Sequence, residues 1–342
     1  MKRACDRAVR GCVPVVLRIS MFPKEELIAT MHCKEGALLP CKLDWPMQRI
    51  GYWGGDPRDS RPAGQVTWRD EWGVTWRKES TDPAMKPFPV EHPLPCDLDG
   101  LHQMVWPDPA DPHRFADLDN LQPTSERLLV GEHPSALFQR AWLLVGMQPL
   151  LTAMTEQNER VSDLFARIAR FEEGLAQKYI KLGIEAAWIS DDYGISLGAA
   201  FSLDLWRQYV KSHLQQLVAC YHEANVLVIL HSFGSIETII EDVLEIGIDV
   251  LDPLQPNCNK LDLIRQRTAG RICLCGGIES SLLFSGNVDK TRSETHRRIR
   301  ELGQQGGYIV GPDDEWDYPA STHAAMLEAV AHYRDNVRRR RR

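Results

Sequence analysis

Asn225 to Pro256 carries the clearest hydrophobic pattern in the chain. Five apolar residues, Val226 to Leu230, run unbroken and stop at His231. Such a run predicts a strand buried on both faces, as in a parallel sheet. Ser232, Phe233 and Gly234 then form a turn. Ile236, Ile239, Ile240, Val243 and Leu244 keep helical spacing, with Ser235 as the expected cap and Gly247 as the terminator. A second apolar run, Ile248 to Leu251, ends at Asp252. The unit reads strand, helix, strand, with polar groups at the strand C-termini, where α/β folds place their chemistry.

The same alternation extends through the second half of the chain. Strands are expected at Leu128–Val130, Ile184–Ser190, Arg271–Leu274 and Tyr308–Val310, with helices between them. Ser202 is the expected cap of a long helix, and a further helix follows Asn287. Earlier, Val13–Ile19 reads as a first buried strand, Lys24–Met31 as a short helix, and the stretch around residue 45 as another strand. About eight strands favour a (β/α)8 TIM-type barrel over an open doubly wound sheet. No GxGxxG follows the first strand and no GxxxxGK[ST] occurs.

The N-terminal third breaks this rhythm. Thr67 to Lys78 alternates as a hairpin turning near Glu71–Gly73, and Trp68, Trp72 and Trp76 are spaced so that one strand face can hold all three. Such a stripe either packs on the barrel rim or forms a lid over a flat ligand. From Thr81 to Pro123 prolines are dense, which predicts an irregular excursion. The expected organisation is one barrel domain over 1–337, an insertion at about 55–123 lying outside the regular barrel, and a disordered basic tail at 338–342.

Composition narrows the class. The 342 residues, 43% of them apolar, suffice for one large domain with a full core. A net charge of -7 gives no reason to expect nucleic acid as a partner. Nine cysteines, with no paired spacing that resembles a zinc ribbon or a secreted disulfide frame, point to free thiols in a reducing cytoplasm. The apolar run after the basic N-terminus contains Arg18 and is too short for a signal segment. No apolar run reaches the roughly 20 residues that a membrane span needs.

In a barrel the strand C-termini converge on one mouth. The residues placed there are Glu132, His133, Asp191, Asp192, His231, Asp252, Gln255, Cys275, Asp313 and Asp314. This donor set can hold a zinc ion, or equally form an acid–base site. Taken singly, each also has a structural reading. One of Asp191 and Asp192 can cap a loop, and Cys273 and Cys275 can simply pack. Gly276 and Gly277 suit a tight turn or the close approach of a ligand. With these aspartates at strand ends and arginines on helices, the mouth is expected to be acidic.

Six blocks carry a resemblance: ISDDYG (189–194), FSLDLWRQYVKSHL (201–214), ILHSFGSIETII (229–240), GIDVLDPLQP (247–256), CGGIES (275–280) and GGYIVGPDDEWDYP (306–319). Their order and spacing resemble the uroporphyrinogen decarboxylase superfamily, which includes corrinoid-linked methyltransferases and O-demethylases. The resemblance covers about residues 125–335 and implies a TIM-type barrel with its site at the strand C-termini. The chain is placed nearer the methyltransferase branch, with one departure from the decarboxylase and one from the zinc methyltransferases. The arginine-rich segment that grips the decarboxylase's polyacid is here RISMFPKEE, with Arg18 followed by acids. The methyltransferases' His-x-Cys zinc motif keeps His231, but Phe233 replaces the cysteine and Asp314 stands near the later one.

What the resemblance implies is a methyltransferase component that moves a methyl group between a small methylated substrate, such as a methoxylated aromatic, and a cobamide-bearing partner protein. His231, Asp191, Asp192 and Asp314 are the expected catalytic groups. His231, Cys275 and Asp314 would be the zinc ligands. Trp45, Gln255, Glu132, His133, Trp316, Gly276 and Gly277 are expected to contact substrate. A homodimer is compatible with this reading. The alternatives are a decarboxylase of a smaller acid and a barrel that binds a ligand without turning it over.

Overall fold

The computed structural model describes residues 22–341, except 63, 80–85, 96, 119, 120, 122, 123, 196, 197 and 269. Seven strands form one sheet in the order Met47–Ile50, Leu128–His133, Ala186–Ser190, Leu227–His231, Val250–Leu254, Cys273–Ile278 and Tyr308–Pro312. Every neighbouring pair is parallel. The sheet curls on itself as a TIM-type barrel. Cys41 bridges Val310 of the last strand, and Lys42 N–H donates to the Val310 carbonyl at 2.8 Å. The chain just before the first strand therefore lies against the last one. The strand expected at Val13–Ile19 lies outside the described residues.

Two apolar sets follow from the two-residue alternation of a strand. Leu128, Val130, Ala186, Trp188, Leu227, Ile229, Val250, Cys273, Cys275 and Ile309 pack together inside the barrel. Their odd-step neighbours Leu129, Ala187, Ile189, Val228, Leu230, Leu251 and Leu274 join the layer between sheet and helices. This parity decides which strand-end residues face the mouth.

The helices stop and start on recognisable chemistry. Asn158, Ser202 and Asn287 each accept a backbone N–H of the first turn that follows them. Gly247, at φ 91°, ends helix Ile240–Ile246. That helix begins later than the expected Ser235 cap. Ser235 N–H instead donates to the Ile195 carbonyl at 3.2 Å and Ile236 N–H to Asn259 at 2.9 Å.

The proline-rich excursion forms its own antiparallel sheet of Thr67–Arg69, Thr75–Arg77 and Phe88–Glu91, outside the barrel sheet. The three tryptophans do not share one strand face. Trp68 and Trp76 stand opposite each other across the hairpin, and Trp72 lies in the turn. Trp72 is 1% exposed, with its ring 4.7 Å from Phe171 and the Arg140 guanidinium 4.3 Å above it. The stripe therefore anchors the ribbon to helix Glu159–Lys181.

The last helix runs from Ala320 to Arg341, so the basic run continues a helix where an irregular tail was expected. Arginine is a good helix former, and Arg338 pairs with Asp335 one turn earlier at 3.5 Å. Among the described residues, no helix is long and apolar enough to cross a membrane.

Candidate active site

His231 ends its strand on an inward step, and Asp252 does the same on the adjacent strand, in register with it. The two join directly: His231 Nδ1 lies 2.8 Å from Asp252 Oδ2. Lys42 Nζ donates to the other carboxylate oxygen at 2.6 Å. Both the lysine and the aspartate side chains are essentially inaccessible, at 1% and 0%. Gly311 makes room for the lysine, because a Cβ there would sit 2.4 Å from Lys42 Cβ. Burial alone would raise the Asp252 carboxyl. The Lys42 charge and the His231 hydrogen bond outweigh it and hold Asp252 well below the usual carboxylate range. Burial likewise opposes the Lys42 charge, yet Asp252 keeps the ammonium above its ordinary value. The result is a fixed cation–anion–imidazole chain. With Nδ1 facing the carboxylate, Nε2 is the nitrogen left for a substrate.

His231 opens on a cleft of about 360 Å³ that Lys42, Arg49, Trp188, Phe233, Glu132 and Asp314 help to line. The imidazole ring stands 5.5 Å from Trp188 and 4.7 Å from Phe233. Arg49 lies over Trp188 at 4.7 Å and pairs with Glu132 at 2.7 Å and Glu315 at 3.0 Å. Burial, partly offset by Arg49, raises the Glu132 carboxyl. An adjoining opening holds Trp45 and Trp316, with Trp316 45% exposed.

The structure gathers only part of the expected set. Glu132, His231, Asp252 and Asp314 meet at the mouth; Trp45 and Trp316 flank it. His133 does not reach it. One step past Glu132, it points outward and is buried between Glu172, at 2.6 Å, and the Tyr221 hydroxyl. Asp191, one step past Ser190, also points outward. It accepts the backbone N–H groups of Leu137, Phe138 and Gln139 at 3.1, 2.8 and 2.6 Å, which caps helix Phe138–Val145. Burial pushes its carboxyl up to about 7 against those donors. It caps this helix and does not line the cleft.

Asp192 accepts Phe233 N–H at 2.9 Å and so positions the loop beyond His231. Gln255 does the same through Gly234 N–H at 2.7 Å. Asp313 is taken up by Ser280. Gly276 and Gly277 do not face the cleft. A Cβ on Gly276 would meet Leu254 N at 3.0 Å, and one on Gly277 would meet the Tyr308 hydroxyl at 3.2 Å, so both serve close packing. The mouth is also not simply acidic, because Lys42, Arg49 and Lys86 line it. Sequence reading passed over these cations. The available signal was the polar stretch Lys42–Arg49 among aromatics, once it is placed on inward steps.

The expected zinc set is not assembled. Cys275 is fully buried inside the barrel, where burial and then Asp252 push its thiol far above the usual range. Asp314 Oδ2 is engaged by the Trp316 indole N–H at 2.8 Å. Among the described residues, no three of His, Cys, Asp and Glu form a group that could hold a metal ion. The Lys42 ammonium already supplies the cation beside Asp252. The residues present do not fit the metal, and no step below runs through one.

Comparison with known proteins gives a consistent picture. Residues 135–333, more than half of the chain, match the family described as uroporphyrinogen decarboxylase (URO-D). The chain is 26% identical over 183 residues to a uroporphyrinogen decarboxylase of Legionella pneumophila (strain Lens), covering 53% of this chain and 50% of that protein. A uroporphyrinogen decarboxylase of Pseudomonas fluorescens is 24% identical over 178 residues, covering 50% and 49%. The chain thus spans about half the length of the curated relatives it matches. Among solved structures, a methyltransferase from Methanosarcina mazei superposes with a TM-score of 0.67 at 16% identity, covering 91% of this chain and 98% of that one. That likeness establishes the barrel fold, and with the match over 135–333 the chain belongs to the uroporphyrinogen decarboxylase family.

Proposed function

We propose that this chain is the methyltransferase component of a corrinoid-dependent system, moving a methyl group between a small methylated substrate and a cobamide-bearing partner. The observation that carries this reading is the Lys42–Asp252–His231 chain opening on a cleft walled by Trp188 and Phe233. A methyl ether releases its methyl group when the oxygen leaves protonated. Protonated His231 offers Nε2–H to that oxygen while Nδ1–H stays on Asp252. The methyl–oxygen bond breaks, the oxygen keeps the electron pair, and it takes the proton. Lys42 keeps Asp252 ionised, so the imidazolium is stabilised where it must form. The aromatic walls suit a methoxylated aromatic ring. When bound, a cobamide supplies the nucleophile that takes the methyl group, and exposed Trp316 at the rim offers a face that a flat macrocycle can cover.

A polyacid fits this mouth poorly, because Lys42 and Arg49 are both spent on carboxylates of the protein. A second reading, decarboxylation of a smaller acid, is favoured by Lys86. This residue also lines the cleft and has no ion-pair partner among the described residues. There, His231 would protonate the carbon that loses carbon dioxide.

The test is an anaerobic assay with methoxylated aromatics and reduced cobalamin, followed by the absorbance of methylcobalamin. The wild type should transfer methyl groups, and His231→Ala should lose about 10²–10⁴ of the rate. Cys273→Ala should change little. Near wild-type transfer by His231→Ala, or robust carbon dioxide release from uroporphyrinogen, would overturn the reading.

A further inference from the structure

A second chamber of about 500 Å³ adjoins the His231 cleft. The two share Lys86, Glu132, Pro134 and Ser190, which form the neck between them. The chamber's outer wall comes from the N-terminal excursion: Tyr52, Pro57, Trp76 and Pro87 give it flat apolar faces. None of these residues lies in the segment 135–333 matched by the family.

The wall is firmly built. Trp68 Nε1 donates to the Pro57 carbonyl at 2.7 Å, and Trp76 Nε1 to Asp70 at 2.7 Å. Arg114 pairs with Glu71 through two 2.7 Å bonds and also donates to the Trp53 carbonyl at 2.9 Å. Gly55 comes so close to the strand-end loop that a Cβ would lie 3.1 Å from Pro134 Cγ. The chamber is therefore largely preorganised, as small-molecule sites are.

Its charges are unevenly satisfied. Glu132 is held by Arg49 and Asp56 by Arg58. Lys86 lies at the neck with no ion-pair partner among the described residues. Arg140 is buried behind the wall with its Nε unpartnered, and no carboxylate of the described residues pairs with it. Lys86 is thus the basic group at the neck, beside planar apolar walls, and its charge also reaches Asp56 across the chamber.

We propose that this chamber is a second substrate subsite and that its ligand is an aryl or alkyl carboxylate. Lys86 holds the carboxylate at the neck, and the apolar body lies between Trp76 and Pro134. This rests on reading the His231 cleft as the reactive site: the excursion then selects substrates long enough to span both spaces.

Equilibrium binding tests it without turnover or partner, so its outcome is separable from the methyl-transfer assay. The probes are 3-phenylpropanoate, its neutral amide and phenyl phosphate, titrated by calorimetry into the full chain. The acid should bind at least tenfold more tightly than the amide. Lys86→Gln should remove that difference and leave amide binding unchanged, and Lys86→Arg should restore most of it. Equal binding of acid and amide, no binding of the acid, or unchanged acid binding by Lys86→Gln overturns the proposal. Tighter binding of phenyl phosphate than of the acid overturns the assignment to a carboxylate.

Discussion

Lys42 Nζ sits 2.6 Å from Asp252 Oδ1 with both side chains shut away from water. Pairs of this kind contribute little net stability, but removing one partner is costly because the other charge stays buried. Lys42→Met should therefore destabilise the fold by about 3–5 kcal/mol. Lys42→Met with Asp252→Asn should recover part of the loss. Urea unfolding of the single and double variants measures both, and additive losses would speak against a coupled pair.

The same pair sets an acid limit. Asp252's folded pKa lies below its unfolded value, so its contribution is present above the ordinary carboxylate range, near pH 4, and is lost as pH falls through the folded pKa. Without Lys42 the carboxyl is no longer held down. Asp252's share of the acid-side loss should therefore shrink or reverse in Lys42→Met, and the stability gap between variant and wild type should narrow as pH falls. Thermal melts between about pH 3 and 7 provide the comparison, and a gap that stays constant with pH would contradict it.

Gly311→Ala reaches the site indirectly. The added Cβ would stand 2.4 Å from Lys42 Cβ, so the lysine must move away from Asp252. Activity should fall, while Gly276→Ala, backed against Leu254, should mainly cost stability. Turnover measured beside melting temperature separates the two. Full activity in Gly311→Ala would show that Lys42 has another way to reach Asp252.

Asp191 should behave as a cap. Asp191→Ala strands three backbone N–H groups at residues 137–139 and should cost about 1–3 kcal/mol. Its effect on ligand affinity should be slight. A large loss of affinity in protein that remains folded at the assay temperature would return Asp191 to the mouth.

Cys275 offers a chemical check on the excluded metal set. Its thiol is buried and pushed up, so it should resist iodoacetamide at pH 8 in native protein. Cys33, Cys220 and Cys258, all partly exposed, should label before it. Mass spectrometry of labelled peptides reports this directly, and rapid native labelling of Cys275 would contradict its placement.

Much of the fold was legible because buried parallel strands are written as short apolar runs. Val226–Leu230 gave the strand and its end at His231, and Asn287 and Gly247 marked helix limits that the structure keeps. The site was legible only to the level of strand ends. Sequence position names neighbours such as Glu132–His133 and Asp191–Asp192 without saying which faces inward; on the alternation of the strands Glu132 and Ser190 do, and His133 and Asp191 do not. Counting steps from the inward Val130 and Trp188 would have removed His133 and Asp191. Lys42 was harder, because it follows the isolated bridge at Cys41, before the first described strand, and its partner is 210 residues away. The Lys86 wall depends on how an irregular, proline-rich segment folds back, which no periodicity encodes.

The assignment of acid–base work to His231 Nε2 is tested most directly by long-range ¹H–¹⁵N spectra of ¹⁵N-histidine-labelled protein, with His231→Gln used to identify the resonances. In its neutral form, His231 should carry its proton on Nδ1, against Asp252, and leave Nε2 as the free acceptor. Asp252→Asn should disturb that preference. A neutral His231 with its proton on Nε2 in the wild type would contradict the Lys42–Asp252–His231 chain.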